Sequence, residues 1–217
     1  MTNTTKPRYD DGCLAAHALN LIGDRWALLV VRELMLAAKR FQQIRAGLPG
    51  ITAGVLTGRL KQLAAAGIVA HDKRLGIYEL TTAGKELRPV LLALCEWGVK
   101  QPNYDHTRFI SPTSLMLSMT CMVQPQARGQ QITAGFDMGA EQFVMRLSGD
   151  GLPRPEAVPQ AEGDFVLSGN GNTLAVAVYG PVPLADLAAQ GLIGLQGDVQ
   201  LAQHFTDLFA LPQATSS

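Results

Sequence analysis

No stretch of this sequence stays apolar for the roughly 18 residues that a membrane-spanning helix needs, so no span is expected. Cysteine is scarce: Cys13, Cys95 and Cys121 lie far apart and form no CxxC pair. Such an odd, sparse set suits a reducing cytoplasm and offers no structural zinc site. Charge is thin as well, at 17% of residues against 47% hydrophobic. That balance excludes a disordered chain and supplies enough apolar material for a core. Met1 to Arg8 put no apolar run behind their charges and do not read as a signal peptide. Enzyme signatures are missing too, with no GxSxG, HExxH or Walker loop. Gly169 to Asn172 is too short for a dinucleotide-binding loop and reads as a turn, and His17, His71, His106 and His204 show no metal spacing. No catalytic residue, cofactor or metal is therefore expected.

What is present is an asymmetry. Net charge is zero over 217 residues, yet residues 1–106 hold 14 Lys/Arg against 9 Asp/Glu, while residues 107–217 hold 4 against 9 and no lysine. A basic half joined to an acidic half suggests two domains with different partners, the first of them polyanionic.

In the basic half, residues 10–24 read as a helix capped by Asp10 or Asp11, with Leu14, Ala18 and Leu21 on one stripe. Trp26 to Ala38 is apolar on nearly every side and predicts a central buried helix. Lys39-Arg40 opens a short helix over Phe41 to Ala46, which stops at Gly47-Leu48-Pro49-Gly50. Thr52 caps the next helix, which runs to Ala66 and ends at Gly67. Two helices joined by a tight Gly/Pro turn make a helix-turn-helix candidate.

At about 100° per residue, Val55, Leu56, Leu60 and Leu63 fall on one stripe and point inward. Gly54, Thr57, Gly58 and Lys61 fall opposite, with Ala53 at the flank. That free face is small and nearly neutral, suited to a major groove about 12 Å wide. The plainer alternative is a surface helix of low propensity, although each exposed glycine costs about 1 kcal/mol relative to Ala. Arg59 sits in the apolar stripe and reads first as structural, paired with Glu33, and second as phosphate-binding. Ile68 to His71 and Ile77 to Thr81 form a hairpin whose Asp72-Lys73-Arg74-Leu75-Gly76 tip is basic, a wing placed to reach phosphates or the minor groove. Thr82 then caps a last helix to about Val99, whose Leu87, Val90, Leu91, Leu94 and Trp97 present more apolar surface than one small domain needs.

Together Cys13, Leu19 to Trp26 (LNLIGDRW), Arg32-Glu33-Leu34, Arg40-Phe41, Ile44, Leu48 to Ile51 (LPGI), Leu56, Arg59 to Leu63 (RLKQL), Gly67-Ile68-Val69, Tyr78 to Thr81 (YELT) and Ala83-Gly84 resemble the HxlR-type family of bacterial regulators over about residues 10–100. The resemblance implies duplex DNA as partner and a homodimer built from the first and last helices. The second helix of the turn motif would then sit in the groove, with half-sites about one helical turn apart. DNA contacts are expected from Arg40, Thr52, Ala53, Gly54, Thr57, Gly58, Lys61, Lys73 and Arg74. The family often carries a redox-sensing cysteine where Cys13 stands, although Leu14 follows it where the family usually has proline. Cys13 and His17 lie one turn apart, so an imidazolium would favour the thiolate. An inert helix cysteine is the alternative, and Cys-x₃-His supplies only two metal ligands.

In the acidic half, Gln101 to Ile110 is a polar connector and Ser111-Pro112 starts a helix carrying Leu115, Met116, Met119, Met122 and Val123. Pro125 to Gly129 turns the chain. Ile132 to Asp137 and Gln142 to Leu147 predict a hairpin around Met138-Gly139. A proline-rich loop, Gly151 to Pro159, precedes a strand over Asp164 to Ser168. Asn172 to Tyr179 is open between strand and helix. Leu184 to Gln190 predicts a helix, Leu192 to Gln196 a strand, and Asp198 caps a final helix through Leu211.

Asp164 to Leu167 (DFVL), Leu174, Tyr179-Gly180, Leu184 to Leu187 (LADL), Gly191, Gly194 to Asp198 (GLQGD), Phe205 and Leu208-Phe209 resemble the sterol-carrier-protein-type lipid-binding fold over roughly 110–210. That resemblance favours a helix at 172–179. It implies a small α/β unit enclosing an apolar tunnel, open to a small apolar or lipid-like ligand. Met116, Met119, Phe136, Phe143, Met145, Phe165, Phe205 and Phe209 are the candidate lining, with plain core packing as the alternative for each.

The expected architecture is α+β: a winged helix-turn-helix DNA-binding and dimerisation domain over 1–104, then a sterol-carrier-protein-like domain over 105–217. The function this implies is a cytoplasmic, dimeric DNA-binding regulator modulated by an apolar effector. Two other readings stay open: a lipid carrier whose winged helix is a dimer scaffold, and a thiol sensor acting through Cys13.

Overall fold

The computed structural model describes residues 8–212, so nearly all of the opening segment that does not read as a signal peptide lies outside the described residues. Two compact units divide between Leu87 and Arg88.

The first unit runs α1 (Leu14–Ile22), α2 (Ala27–Glu33), β1 (Lys39–Arg40), α3 (Phe41–Ala46), α4 (Ala53–Ala65), β2 (Val69–Asp72), β3 (Ile77–Leu80) and α5 (Thr82–Lys85). Its sheet is antiparallel in the order β1-β3-β2, with Lys39 opposite Tyr78 and Val69 opposite Leu80. Val30, Val31, Ile44, Leu48, Leu56, Leu60 and Leu63 form the buried core. This is a helix-turn-helix followed by a winged hairpin.

Several boundaries differ from expectation, each for a local reason. α1 begins at Leu14, because the Asp11 carboxylate accepts the Cys13 N–H (2.9 Å) and bends the chain outside the helix. Its Leu14, Ala18 and Leu21 stripe faces solvent, with Leu14 88% exposed. α2 stops at Glu33, and Lys39-Arg40 pairs with β3 as a short strand before α3 begins. The helix expected over Thr82 to Val99 breaks between α5 and the next helix. Pro89 lacks an N–H, and in a continuous helix its ring would meet the Lys85 carbonyl. Thr81, one residue earlier than expected, caps α5 by accepting the Gly84 N–H (3.1 Å).

A buried ionic cluster ties α2 to the turn. Glu33 is fully buried, salt-bridged to Lys39 Nζ (3.2 Å) and Arg32 Nη2 (2.8 Å), and Arg32 also donates to the Gly47 carbonyl (3.1 Å). A Cβ on Gly47 would fall 2.2 Å from Glu33 Oε2, so glycine is required there. Arg59, expected against Glu33, instead bonds Asp24 and Gln62, because the buried Glu33 already faces Arg32 and Lys39.

The second unit runs α6 (Arg88–Gly98), α7 (Pro112–Met122), a 3-10 turn (Pro125–Ala127), β4 (Ile132–Asp137), β5 (Gln142–Leu147), β6 (Pro153–Val158), β7 (Phe165–Ser168), α8 (Gly171–Tyr179), α9 (Leu184–Ala189), β8 (Gly194–Gly197) and α10 (Val199–Thr206). The sheet order is β6-β5-β4-β7-β8, antiparallel except for the parallel β4–β7 pair. The expected β4–β5 hairpin forms, with Phe136 opposite Phe143. Ser111 caps α7 and Pro112 occupies its first turn, as expected.

The segment expected as a proline-rich loop is strand β6. It pairs only with β5, and a sheet edge is where proline's missing N–H removes no ladder bond. The ambiguous 172–179 stretch is helical, but its cap is Asn170, which accepts the Thr173 N–H while Thr173 Oγ1 accepts the Asn170 N–H. Asn172 instead donates to the Arg108 carbonyl (2.9 Å). α10 ends at Thr206 rather than Leu211, and Val123 and Phe209 then meet in an isolated β-bridge. Among the described residues no single helix is long and apolar enough to cross a membrane; α1 and α2 reach that length only as a pair bent by 70°.

Candidate nucleic-acid interface

The face of α4 follows from its cap and its stop. Thr52 Oγ1 accepts the Val55 N–H (3.3 Å), satisfying one of the free amides of the first turn. At the other end Gly67 adopts φ +71, and the Ile68 N–H returns to the Leu63 carbonyl (2.9 Å), closing the helix. Leu56, Leu60 and Leu63 are buried beneath. Thr52, Ala53, Gly54, Thr57, Gly58 and Lys61 are all exposed. Val55 departs from expectation: it is 38% exposed and joins the flank of the outer face. Thr57 Oγ1 donates to the Ala53 carbonyl (2.8 Å), leaving its lone pairs outward.

Beyond the helix's own backbone and the adjoining residues, nothing among the described residues lies within 4 Å of a Cβ built on Gly54 or Gly58. Neither glycine therefore serves internal packing, and neither has positive φ. Gly58, inside the helix, costs about 1 kcal/mol relative to Ala, and Gly54, in the first turn, adds a smaller cost, with no packing contact to offset either.

The wing is held stiffly. Asp72 Oδ1 accepts the N–H groups of Arg74 (2.8 Å) and Leu75 (3.0 Å), and its carbonyl accepts the Gly76 N–H (2.8 Å). Lys73 and Arg74 are exposed at the tip. So is Leu75, which the sequence did not single out because an apolar residue inside a basic turn carries no pattern of its own. Behind the tip His71 and Tyr78 stack at 4.1 Å across the hairpin. Arg40 is exposed at the start of α3, and its Nη1 lies 3.6 Å from where a Gly76 Cβ would stand. Arg40, Lys73 and Arg74 are thus gathered around one turn, while Arg59 is drawn away to Asp24.

Cys13 stands exposed at the N-cap of α1. The amides of Ala16 and then Ala15 pull its thiol pKa down. The stabilising charge comes from the helix N-terminus, rather than from the His17 imidazole.

In the second unit all eight candidate lining residues are packed in the core. Phe205 contacts Phe165 (5.5 Å between centroids), Phe209 (5.0 Å) and Phe136 (6.3 Å). A cavity of about 1270 Å³ lies elsewhere, between the connector and α8, lined in part by Tyr104, Phe109, Ile110, Val176, Tyr179 and Pro181. Lys100, His106, Arg108 and Asp105 edge it, with Arg108 Nε bonded to Asp105 at 3.1 Å. The Tyr179 hydroxyl meets Ser118 Oγ at 2.7 Å, and burial pushes its pKa up. Apolar residues in a polar connector carry no periodic signal, and large aromatics at strand and helix spacing fill the core first.

The HxlR-like helix-turn-helix family model matches residues 21–106. The uncharacterised HTH-type transcriptional regulator sll1512 of Synechocystis is 36% identical over 99 residues, spanning 42% of this chain and 73% of its own length. YvaP of Bacillus subtilis, described in the same words, is 35% identical over 89 residues, covering 38% of this chain and 82% of its own. The solved quinone-bound YodB of B. subtilis shares 36% identity, covering 40% of this chain and 96% of that one at a TM-score of 0.37. With the helix-turn-helix, its capped second helix and its winged hairpin in place, the chain belongs to the HxlR-type family of helix-turn-helix transcriptional regulators.

Proposed function

We propose that this chain binds duplex DNA as a homodimer, presenting the α4 face to the major groove and the Arg40, Lys73 and Arg74 cluster to the flanking backbone. One observation carries the reading: Gly54 and Gly58 sit exposed on α4 with open space around them. A helix loses stability by such glycines and gains only close approach to something outside the chain. Replacing both by alanine separates the two effects. Folding stability should rise by about 1 kcal/mol at Gly58 and by less at Gly54, in the first turn, if helix propensity alone acts, while affinity for DNA upstream of the protein's own gene falls at least tenfold. Unchanged affinity would count against groove insertion, and equal affinity of the parent protein for random duplex would count against specific binding altogether.

The homodimer buries the Leu14, Ala18 and Leu21 stripe of α1 and the Val90, Leu94 and Trp97 face of α6, all exposed in the single chain. The second unit, whose likeness to sterol-carrier-type lipid-binding proteins rests on residues 110–210, takes a small apolar or lipid-like effector. Its cavity of about 1270 Å³, rather than its aromatic core, has the room. An effector of this kind raises the thermal stability of the protein by an amount that grows with the logarithm of its concentration over its Kd. If lipids and apolar acids leave the unfolding temperature unmoved, the effector reading fails. A lipid carrier using the winged helix as a scaffold is the competing reading, and it predicts ligand binding without specific DNA binding. Thiol sensing through Cys13 is favoured by that residue's exposure and lowered pKa.

A further inference from the structure

Cys95 and Cys121 lie far apart in sequence, but the fold brings them together. α6 packs on α7. The Cys121 thiol lies 3.7 Å from the Leu92 carbonyl, one helical turn before Cys95, and 3.6 Å from the Leu117 carbonyl of its own helix. Cys95 is also the neighbour that acts most strongly on the Cys121 thiol. Both are half-buried, so a small solute can reach them, and neither is bonded covalently.

We propose that Cys95 and Cys121 form an oxidation site, at which a hydroperoxide joins α6 to α7 through an intramolecular disulfide. The two thiols have unequal roles. The contact with Cys95, and then burial, push the Cys121 pKa up, so Cys121 stays a thiol and Cys95 supplies the nucleophile. The Cys95 sulfur attacks one peroxide oxygen, the O–O bond breaks, and the departing oxygen leaves with the thiol proton as water or alcohol. The Cys121 sulfur then attacks the resulting sulfenic acid. An S–S bond forms, the S–O bond breaks, and water leaves with the Cys121 proton. With hydrogen peroxide, two thiols and one peroxide give one disulfide and two waters. This site is separate from Cys13, which stands exposed at the start of α1.

The test treats the full-length protein with hydrogen peroxide, alkylates remaining thiols and maps tryptic peptides by mass spectrometry. Lys100 and Arg108 lie between the two cysteines, so trypsin places them on different peptides. The expected result is a cross-linked pair of peptides within the monomer fraction, two hydrogens lighter than their sum and released by dithiothreitol. Cys95→Ser and Cys121→Ser should each abolish the cross-link while leaving Cys13 alkylation unchanged. The proposal is overturned if both cysteines stay alkylatable at a peroxide dose that has consumed Cys13. It is equally overturned if either is found only as a sulfinic acid, in a bond to Cys13, or in a bond to a second chain.

Discussion

Glu33 is a buried carboxylate with two cationic neighbours, and Gly47 makes room for it. Gly47→Ala puts a methyl into space the carboxylate holds. Overpacking of this kind typically costs about 1–3 kcal/mol, and urea unfolding of the variant should show a loss in that range. The glycine was legible as a turn residue in Gly47-Leu48-Pro49-Gly50, but the clash that demands it was not, because Glu33 lies on another element. Arg59 teaches the same lesson. Its place in an apolar stripe marked it as structural, yet its partner Asp24 is 35 positions away and no spacing rule points there. Cys13 illustrates a gain from geometry. With its pKa lowered by the first amides of α1, its thiolate fraction at neutral pH exceeds that of a free cysteine. Iodoacetamide should therefore label Cys13 before Cys121, whose pKa is raised, and the Cys13 rate should level off at a lower pH than for a model thiol.

Among the elements, α4 and the wing carry the functional reading. Both were visible in the sequence because their punctuation is local: Thr52 and Gly67 bound the helix, and Asp72 to Gly76 close the hairpin. If Lys73 and Arg74 each neutralise a phosphate, the Lys73→Ala and Arg74→Ala variants should each lower the salt-dependence slope of DNA binding by about 1. Affinity titrations between low and moderate salt would measure this, and an unchanged slope would remove the wing from the interface. Other elements hid themselves. β6 contains Pro153 and Pro155, which read as loop until its edge position is known. The break at Pro89 is masked in the sequence, since the apolar spacing of Leu87 to Trp97 runs straight through it. The cavity has no sequence signature because its walls come from an aperiodic connector, whereas Phe136, Phe165 and Phe205 had the spacing of core residues and became core.

At the scale of the molecule, each unit holds its own core, and the family likeness belongs to residues 21–106. Trp97 is 64% exposed on an apolar helix face, an unusual state for a large aromatic in a lone soluble chain. If the proposed homodimer closes through this face, Trp97→Glu should convert it to monomers by sedimentation velocity and weaken DNA binding by removing one half-site from each complex. A variant that stays dimeric would move the seam off α6. Which helices would meet in a dimer is suggested only by the resemblance, because nothing in the apolar spacing of one chain says whether its partner lies inside or outside.

The edges of the five-stranded sheet bear on that same question of assembly. An unprotected edge strand invites another chain to add itself by main-chain pairing, without regard to side-chain identity. Here one edge is β6, with Pro153 and Pro155, and the other is the four-residue β8, which begins with Gly194 and ends with Gly197. Both are poor templates. The second unit is thereby steered away from open-ended stacking into filaments, and the proposed homodimer would use helix faces instead, where a two-fold contact closes on itself and stops at two.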